Sequence, residues 1–217
     1  MSCWSEEAWR AAAPVYERII AHPFVQALAD GTLPEACFMH YLRQDSMYLG
    51  QYTRVLAHIA SRMPDSAHGA DFLRFALDGV AVERELHESF LGGKGAEGEA
   101  MSPACMLYTS VLKACALESV EVESAAVLPC FWVYQRVGEE ILKRQRAVPH
   151  NPYKAWIDTY AAPGFAESTR RAVEICDSLA AAASPATRDA MTEIFVRCTR
   201  MEWLFWDSAW NLEQWKI

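Results

Sequence analysis

Residues 118–146 read ESVEVESAAVLPCFWVYQRVGEEILKRQR, and their apolar side chains recur at helical intervals on both sides of Pro129. The pattern predicts one long helix that is bent at the proline, because proline has no backbone N–H to donate. Cys130 and Tyr134 stand four residues apart and therefore share one face of this helix. A thiol beside a phenol in an apolar wall suits a buried catalytic pocket, but an inert core helix has the same pattern.

Helical periodicity continues through the rest of the chain with short breaks, and the alternating runs typical of strands are scarce. Besides residues 118–146, the pattern predicts helices at residues 5–20, 23–33, 34–62, 67–90, 103–116, 153–160, 165–183 and 185–215. Ser5 is the expected N-cap of the first helix, and Ser102-Pro103 and Ser184-Pro185 are typical helix starts. The glycine-rich segment 91–101 is too short to join two domains. We therefore predict an all-α protein in which residues 1–217 form a single compact helical bundle.

Charge and cysteine content exclude several classes of protein. The chain has 217 residues with 20 Lys and Arg against 28 Asp and Glu, so its formal net charge is -8. Nucleic acids and anionic membranes attract clustered Lys and Arg, so neither is an expected partner. No apolar stretch reaches the roughly 18 residues of a membrane span, and residues 1–7 do not resemble a signal peptide. The cysteines show no C-x-x-C spacing, which favours reduced thiols in a cytoplasmic protein over a disulfide framework or a zinc site.

Two carboxylates lie in aromatic surroundings within predicted helices. Asp45 precedes Tyr48 by three residues, so that both belong to one helix face, and Glu202 and Phe205 have the same spacing. Desolvation in such surroundings would raise the pKa of Glu202, which suits a proton donor near neutral pH. The simpler interpretation is that each carboxylate lies at the edge of an amphipathic helix. Asp207, five residues after Glu202, is predicted to face another way.

The sequence gives little support for a metal or a cofactor. Glu83 and His87 have an i, i+4 spacing, but a metal site needs three or four converging ligands and no second pair of this kind occurs. His22 could be a haem ligand, but a histidine near the end of the first helix is more often stabilised by the helix dipole. Glycine-rich phosphate loops and nucleotide-binding fingerprints are absent. We therefore predict neither a metal nor a cofactor.

Five short motifs resemble the TenA/thiaminase II family and occur in the order that this family shows. They are His22-Pro23-Phe24-Val25, Leu28-Ala29-Asp30-Gly31-Thr32-Leu33, Tyr41-Leu42-Arg43-Gln44-Asp45-Ser46-Met47-Tyr48-Leu49, Leu128-Pro129-Cys130-Phe131-Trp132-Val133-Tyr134 and Glu202-Trp203-Leu204-Phe205-Trp206-Asp207. Together they span residues 22–207. The resemblance implies a helical bundle of the haem-oxygenase-like type that binds no haem and that assembles as a homotetramer.

The resemblance also implies a site, residue by residue. Cys130 resembles the family's nucleophile, and Glu202 resembles its acid/base residue on the C-terminal helix. Asp45 resembles the carboxylate that binds the amino group and ring nitrogen of a pyrimidine and orients the thiol. The aromatic residues implied to pack around the ring are Tyr48, Tyr134 and Phe205. The tyrosines implied to hydrogen-bond within the pocket are Tyr108 and Tyr160, which from the residues alone are ordinary core tyrosines.

Hydrolysis of an aminopyrimidine is the activity that the resemblance implies. The expected substrate is 4-amino-5-aminomethyl-2-methylpyrimidine, which becomes the hydroxymethylpyrimidine, and thiamin itself is a further candidate substrate. This chemistry needs a soft nucleophile, an acid near a ring nitrogen and a flat aromatic slot, but no cofactor. Two other functions stay open: a pyrimidine-binding or regulatory protein without catalysis, and a haem or di-iron protein.

Pro129 has one of two consequences for the thiol. If a helix begins at the proline, Cys130 lies in its first turn, where the helix dipole lowers the pKa of the thiol. If the helix runs through, a carbonyl is freed beside the pocket, and activation of the thiol falls to Asp45.

Overall fold

The computed structural model describes residues 3–91, 99–145 and 150–217, and their side chains apart from those of residues 82–89, 91 and 145. These ranges contain no strand; apart from one short 3-10 helix at Cys115–Leu117, their helices are α1 (Trp4–Ile20), α2 (Pro23–Asp30), α3 (Glu35–Arg62), α4 (Ser66–Leu91), α5 (Pro103–Ala114), α6 (Val120–Gln145), α7 (Lys154–Tyr160), α8 (Pro163–Ala182) and α9 (Pro185–Trp210). The all-α prediction is therefore confirmed. Residues 92–98 of the glycine-rich connection, and the side chains of Glu83 and His87, lie outside the described residues.

Proline and serine begin several helices as the sequence predicted. The prolines in the first turn of a helix are Pro23, Pro103, Pro163 and Pro185. Ser102 Oγ accepts a hydrogen bond from Cys105 N at 3.2 Å, and Ser184 Oγ accepts one from Thr187 N at 3.1 Å. At the other end of α2, Gly31 has a φ of 70°, which is the left-handed conformation that favours glycine. These local signals set where the chain turns between helices.

The start of α1 differs from the prediction. Cys3, not Ser5, is the N-cap, and Ser5 lies inside the helix. The Ser5 hydroxyl and backbone N–H both donate to the carboxylate of Asp177 on α8, at 2.7 and 2.8 Å. A charged partner on a neighbouring helix therefore outweighs the capping preference of the serine.

The end of α9 was also predicted wrongly, since the helix stops at Trp210 rather than near residue 215. Leu212 has a positive φ of 49°, which takes the chain out of the helix. Glu213 then accepts a hydrogen bond from Ala104 N at 3.1 Å, so the C-terminal segment supplies an acceptor to the start of α5.

α6 packs against α9, α8, α7 and α2, and it is continuous across Pro129. The Tyr52 hydroxyl, on α3, donates to the carbonyl oxygen of Val127 at 2.8 Å, just before the proline. Gly138 allows α6 to lie close to α7. A Cβ at this position would lie only 2.8 Å from the carbonyl carbon of Tyr160, and glycine has no Cβ. α6 therefore carries its thiol and phenol in the middle of the bundle.

Aromatic side chains fill the core beside that part of α6. Tyr41 stacks on Trp206 with ring centroids 5.2 Å apart and planes 7° from parallel. Trp156 Nε1 donates to the Tyr41 hydroxyl at 3.3 Å, and the Tyr41 hydroxyl donates to that of Tyr134 at 3.4 Å. Tyr41, Trp156 and Trp206 are fully buried. This cluster fixes the orientation of Tyr134, the residue that connects the core to the candidate site.

Candidate active site

A cavity that is partly open to solvent lies between α3, α4, α6, α7 and α8. Four of the residues predicted for the site line it: Asp45, Cys130, Tyr134 and Tyr160. The rings of Tyr134 and Tyr160 contact each other with centroids 4.9 Å apart. The aromatic wall suits a flat ligand.

The other four predicted residues do not line the cavity but pack next to it. They are Tyr48, Tyr108, Glu202 and Phe205. The Tyr48 ring contacts those of Tyr108 and Phe205, with centroids 4.9 and 5.8 Å apart. The Tyr108 hydroxyl donates to Glu202 Oε1 at 2.7 Å. α3, α5 and α9 are thereby joined in one layer beside the Cys130 thiol.

The Cys130 thiol is protonated in the resting protein. Burial raises its pKa well above the ordinary range, and the neighbouring Glu202 carboxyl raises it further. The hydroxyls of Tyr48 and Tyr52 act in the opposite direction, since each favours the thiolate. Tyr48 is the better placed of the two, because Tyr52 already donates to Val127 O, whereas the buried Tyr48 hydroxyl has no other hydrogen-bond partner among the described residues.

The continuous helix decides between the two consequences that were predicted for Pro129. Cys130 lies far from the N-terminus of α6 at Val120, so the helix dipole does not activate the thiol. Asp45 does not activate it through its charge either, because that charge raises the pKa of Cys130. Asp45 can therefore help the thiol only by accepting its proton.

Glu202 is a buried carboxyl in its neutral form. It is 1% exposed, and burial is the main reason that its pKa rises from 4.5 to about 8. The hydrogen bond from Tyr108 lowers this pKa, and the charge of Asp45 raises it. The raised pKa expected from the sequence is thus present. Asp207 faces another way, as predicted, because its half-exposed carboxylate lies 3.3 Å from His22 Nε2.

His22 occupies a different position from the one expected. It is the N-cap of α2, and its Nδ1 accepts a hydrogen bond from Phe24 N at 3.1 Å. Burial lowers the pKa of His22, and an Nδ1 that accepts cannot carry a proton, so the ring is neutral with its proton on Nε2. Stabilisation by the dipole of α1 is therefore the wrong explanation, since the histidine caps the next helix.

The described part of the chain lacks two kinds of feature. No three His, Cys, Asp or Glu side chains converge there in a way that could hold a metal ion. None of the helices in the same part of the chain is long and apolar enough to cross a bilayer.

Several residues that line the cavity were missed by sequence reasoning. Tyr52 is one of them, although its i+4 spacing from Tyr48 indicates that the two share a face. The lining residues without any local motif are Phe75, Asp78, Gly79, Phe165 and Ser168. They reach the site because α4 packs on α3 and α8 packs on α6, and such long-range contacts leave no signature in a short stretch of sequence.

A known protein family and several known proteins resemble this chain over nearly its whole length. The model of the TENA/THI-4/PQQC family matches residues 9–212. A Bacillus subtilis protein named aminopyrimidine aminohydrolase is 33% identical, over 98% of this chain and 92% of that protein. The thiamine biosynthesis multifunctional protein ThiED of Corynebacterium efficiens is 34% identical over 96% of this chain, which spans only 29% of that protein.

Solved structures show the same architecture. A TenA homologue from P. horikoshii OT3 superposes with a TM-score of 0.88 at 28% identity, over 97% of this chain and 99% of that one. A domain with a haem-oxygenase-like fold from Shewanella denitrificans superposes with a TM-score of 0.77 at 13% identity, over 95% and 92%, and this confirms the predicted fold type. Because the family model covers nearly the whole chain, the protein belongs to the TENA/THI-4/PQQC family.

Proposed function

We propose that this protein hydrolyses aminopyrimidines, converting 4-amino-5-aminomethyl-2-methylpyrimidine to the hydroxymethylpyrimidine in the salvage of thiamin fragments. The observation that carries the proposal is that Cys130 and Asp45 line one aromatic cavity, while Glu202 lies beside it, near enough to shift the pKa of the thiol. The names of the Bacillus subtilis and Corynebacterium efficiens relatives support it, since one concerns aminopyrimidines and the other thiamine biosynthesis.

The cavity suits a small aminopyrimidine. Tyr134 and Tyr160 supply ring surfaces on which a flat heterocycle can pack, and both are nearly buried. The buried Asp45 carboxylate accepts hydrogen bonds from the amino group of the pyrimidine. We assign Asp45 to ring binding for this reason, in agreement with the family resemblance.

In the proposed first step, Cys130 Sγ forms a bond to a ring carbon. The thiol proton passes to Asp45, and a ring nitrogen takes a proton from Glu202. The protonation states favour this assignment, because a carboxyl with a pKa of about 8 is mostly neutral at pH 7 and can donate. Since the thiol is also protonated at rest, bond formation and loss of its proton are coupled.

In the following steps, the carbon–nitrogen bond of the aminomethyl group breaks and its electron pair leaves with ammonia. Water then adds its oxygen to the exocyclic carbon and gives a proton to the Glu202 carboxylate. The sulfur–carbon bond breaks next, Cys130 recovers its proton from Asp45, and the ring nitrogen releases its proton to the ammonia through solvent. The sum is one water consumed, one alcohol formed and one ammonium released.

Incubation with the two candidate substrates tests the proposal. Purified protein is incubated separately with 4-amino-5-aminomethyl-2-methylpyrimidine and with thiamin, and products are separated by chromatography. We expect the hydroxymethylpyrimidine from the first substrate, and from thiamin the same alcohol together with the thiazole. Binding of the pyrimidine without any product would contradict the proposal and favour the non-catalytic alternative.

A further inference from the structure

The outer end of the cavity differs from its inner end. At the inner end, Asp45, Tyr134 and Tyr160 are only 5%, 4% and 6% exposed. At the outer end, Asp78 of α4 is exposed and Ser168 of α8 is half-buried, and both line the cavity. These two polar residues lie at the solvent-facing mouth of the cavity.

The described lining carries only negative charge. Asp45 and Asp78 are its acidic residues, and none of its described members is Lys, Arg or His. Asp78 forms no ion pair with any other described side chain. The guanidinium of Arg171, one turn after Ser168 on α8, is bonded instead to Asp71 at 2.8 Å. The Asp78 carboxylate is therefore left without a cation by the described protein groups around it.

In the proposed reaction, the bound substrate carries a cationic leaving group that departs through the mouth of the cavity. The ring stays bonded to Cys130 until water has added, so the leaving group must depart before the ring and through the mouth. The leaving group of the aminomethylpyrimidine is a primary ammonium in the bound substrate, and that of thiamin is a thiazolium. Resting on the proposed function, we infer that Asp78 and Ser168 form a subsite that binds the cationic leaving group.

The subsite acts on substrate binding rather than on the chemical step. The positive charge on the leaving nitrogen disappears as the nitrogen takes the electron pair of the breaking bond. Asp78 therefore stabilises the bound substrate more than the transition state, and its removal raises KM while kcat stays constant or increases. The same carboxylate repels an anionic group at that position, so the phosphate ester of the hydroxymethylpyrimidine binds weakly.

Asp78→Asn tests the inference, because Asp78 is exposed and the amide is isosteric. For 4-amino-5-aminomethyl-2-methylpyrimidine at low ionic strength we expect KM to rise about three- to fivefold, the size of a solvent-exposed ion pair, with kcat not lowered. High salt should reduce the difference from wild type. Asp189→Asn, which removes the same charge from an exposed position on α9 outside the cavity, should leave KM unchanged.

One neutral probe and one anionic probe test whether Asp78 acts through its charge. The inhibition constant of the neutral hydroxymethylpyrimidine should be the same in wild type and Asp78→Asn, whereas its phosphate ester should bind more tightly to the variant. An equal change for the ammonium and the alcohol, or no change for either, overturns the leaving-group subsite. If wild-type protein turns over no substrate at all, the proposed function fails instead, and the two failures are thereby distinguished.

Discussion

Tyr108 and Glu202 form the residue pair that sets the pH dependence of the proposed reaction. The hydrogen bond from the Tyr108 hydroxyl at 2.7 Å stabilises the carboxylate form of Glu202 and thus lowers its pKa toward about 8. A proton donor works only while it is protonated. We therefore expect kcat/KM of the wild-type protein to fall above pH 8.

Tyr108→Phe should move this alkaline limb to higher pH. The variant keeps the ring and loses the hydroxyl that stabilises the carboxylate, so the pKa of Glu202 rises. The measurement is the pH profile of kcat/KM for wild type and variant with the same substrate, so that titration of the substrate cancels. A limb that stays in place or moves to lower pH would contradict the role of Glu202 as the acid.

Single residues differ in how far the sequence could predict them. Asp45 and Glu202 were predicted because each has an aromatic residue three positions later on its helix face. Asp78 has no such neighbour, and it becomes part of the site only because α4 packs on α3. Ser5 was misassigned because its partner, Asp177, is 172 positions away in the chain. Local spacing predicts faces of helices, but it does not predict which faces meet.

At the scale of elements, the close approach of α6 and α7 positions Tyr160. We expect Gly138→Ala to destabilise the protein by about 1–3 kcal/mol, the usual cost of overpacking. The reason is that the new Cβ would lie 2.8 Å from the Tyr160 carbonyl carbon and 2.9 Å from its oxygen. Displacement of Tyr160 should also raise KM. Urea unfolding and steady-state kinetics measure the two effects.

Gly50→Ala is the matched control within a helix. Apart from its chain neighbours and the backbone of its own helix, no atom lies within 4 Å of a Cβ placed on Gly50, in the interior of α3. This substitution should stabilise the protein by about 0.5–1 kcal/mol, because alanine is the better helix former. Equal stability changes in the two variants would show that the contact between α6 and α7 does not position Tyr160.

Whole helices were predicted better than their ends. Periodicity together with Pro103 and Pro185 predicted the starts of α5 and α9 correctly, because proline is favoured in the first turn of a helix. The end of α9 could not be read in the same way, since Glu213 leaves the helix to contact Ala104 on another element. A helix end depends on tertiary partners whenever these compete with the helix for the same backbone groups.

At the scale of the whole molecule, the buried Glu202 makes the free energy of unfolding decrease as pH rises. Its folded-state pKa of about 8 lies above the ordinary 4.5, so the folded protein holds a proton that the unfolded chain releases between these values. Stability therefore falls with increasing pH in this window, by up to about 1.4 kcal/mol per pH unit. Glu202→Gln removes this dependence.

We expect Glu202→Gln to become more stable relative to wild type by up to about 3 kcal/mol between pH 4.5 and pH 7, as measured by urea unfolding. Glu17→Gln, at an exposed position on α1, is the control and should show no such trend. A gap between Glu202→Gln and wild type that is independent of pH would mean that Glu202 is charged in the folded protein at neutral pH.

Some properties of the whole molecule remain predictions from the sequence. They are the single domain over residues 1–217, the homotetramer and the cytoplasmic location. Size-exclusion chromatography with light scattering measures the number of subunits. A tetramer is the expected result, and a monomer would contradict the prediction.

The most direct test of the proposed function is the hydrolysis of 4-amino-5-aminomethyl-2-methylpyrimidine by Cys130→Ala. Circular dichroism establishes that the variant is folded, and Cys3→Ala, which removes an exposed thiol, is the control. Cys130→Ala should form no hydroxymethylpyrimidine above the uncatalysed background, while Cys3→Ala should match wild type. Retained hydrolysis by folded Cys130→Ala would show that the thiol is not the nucleophile.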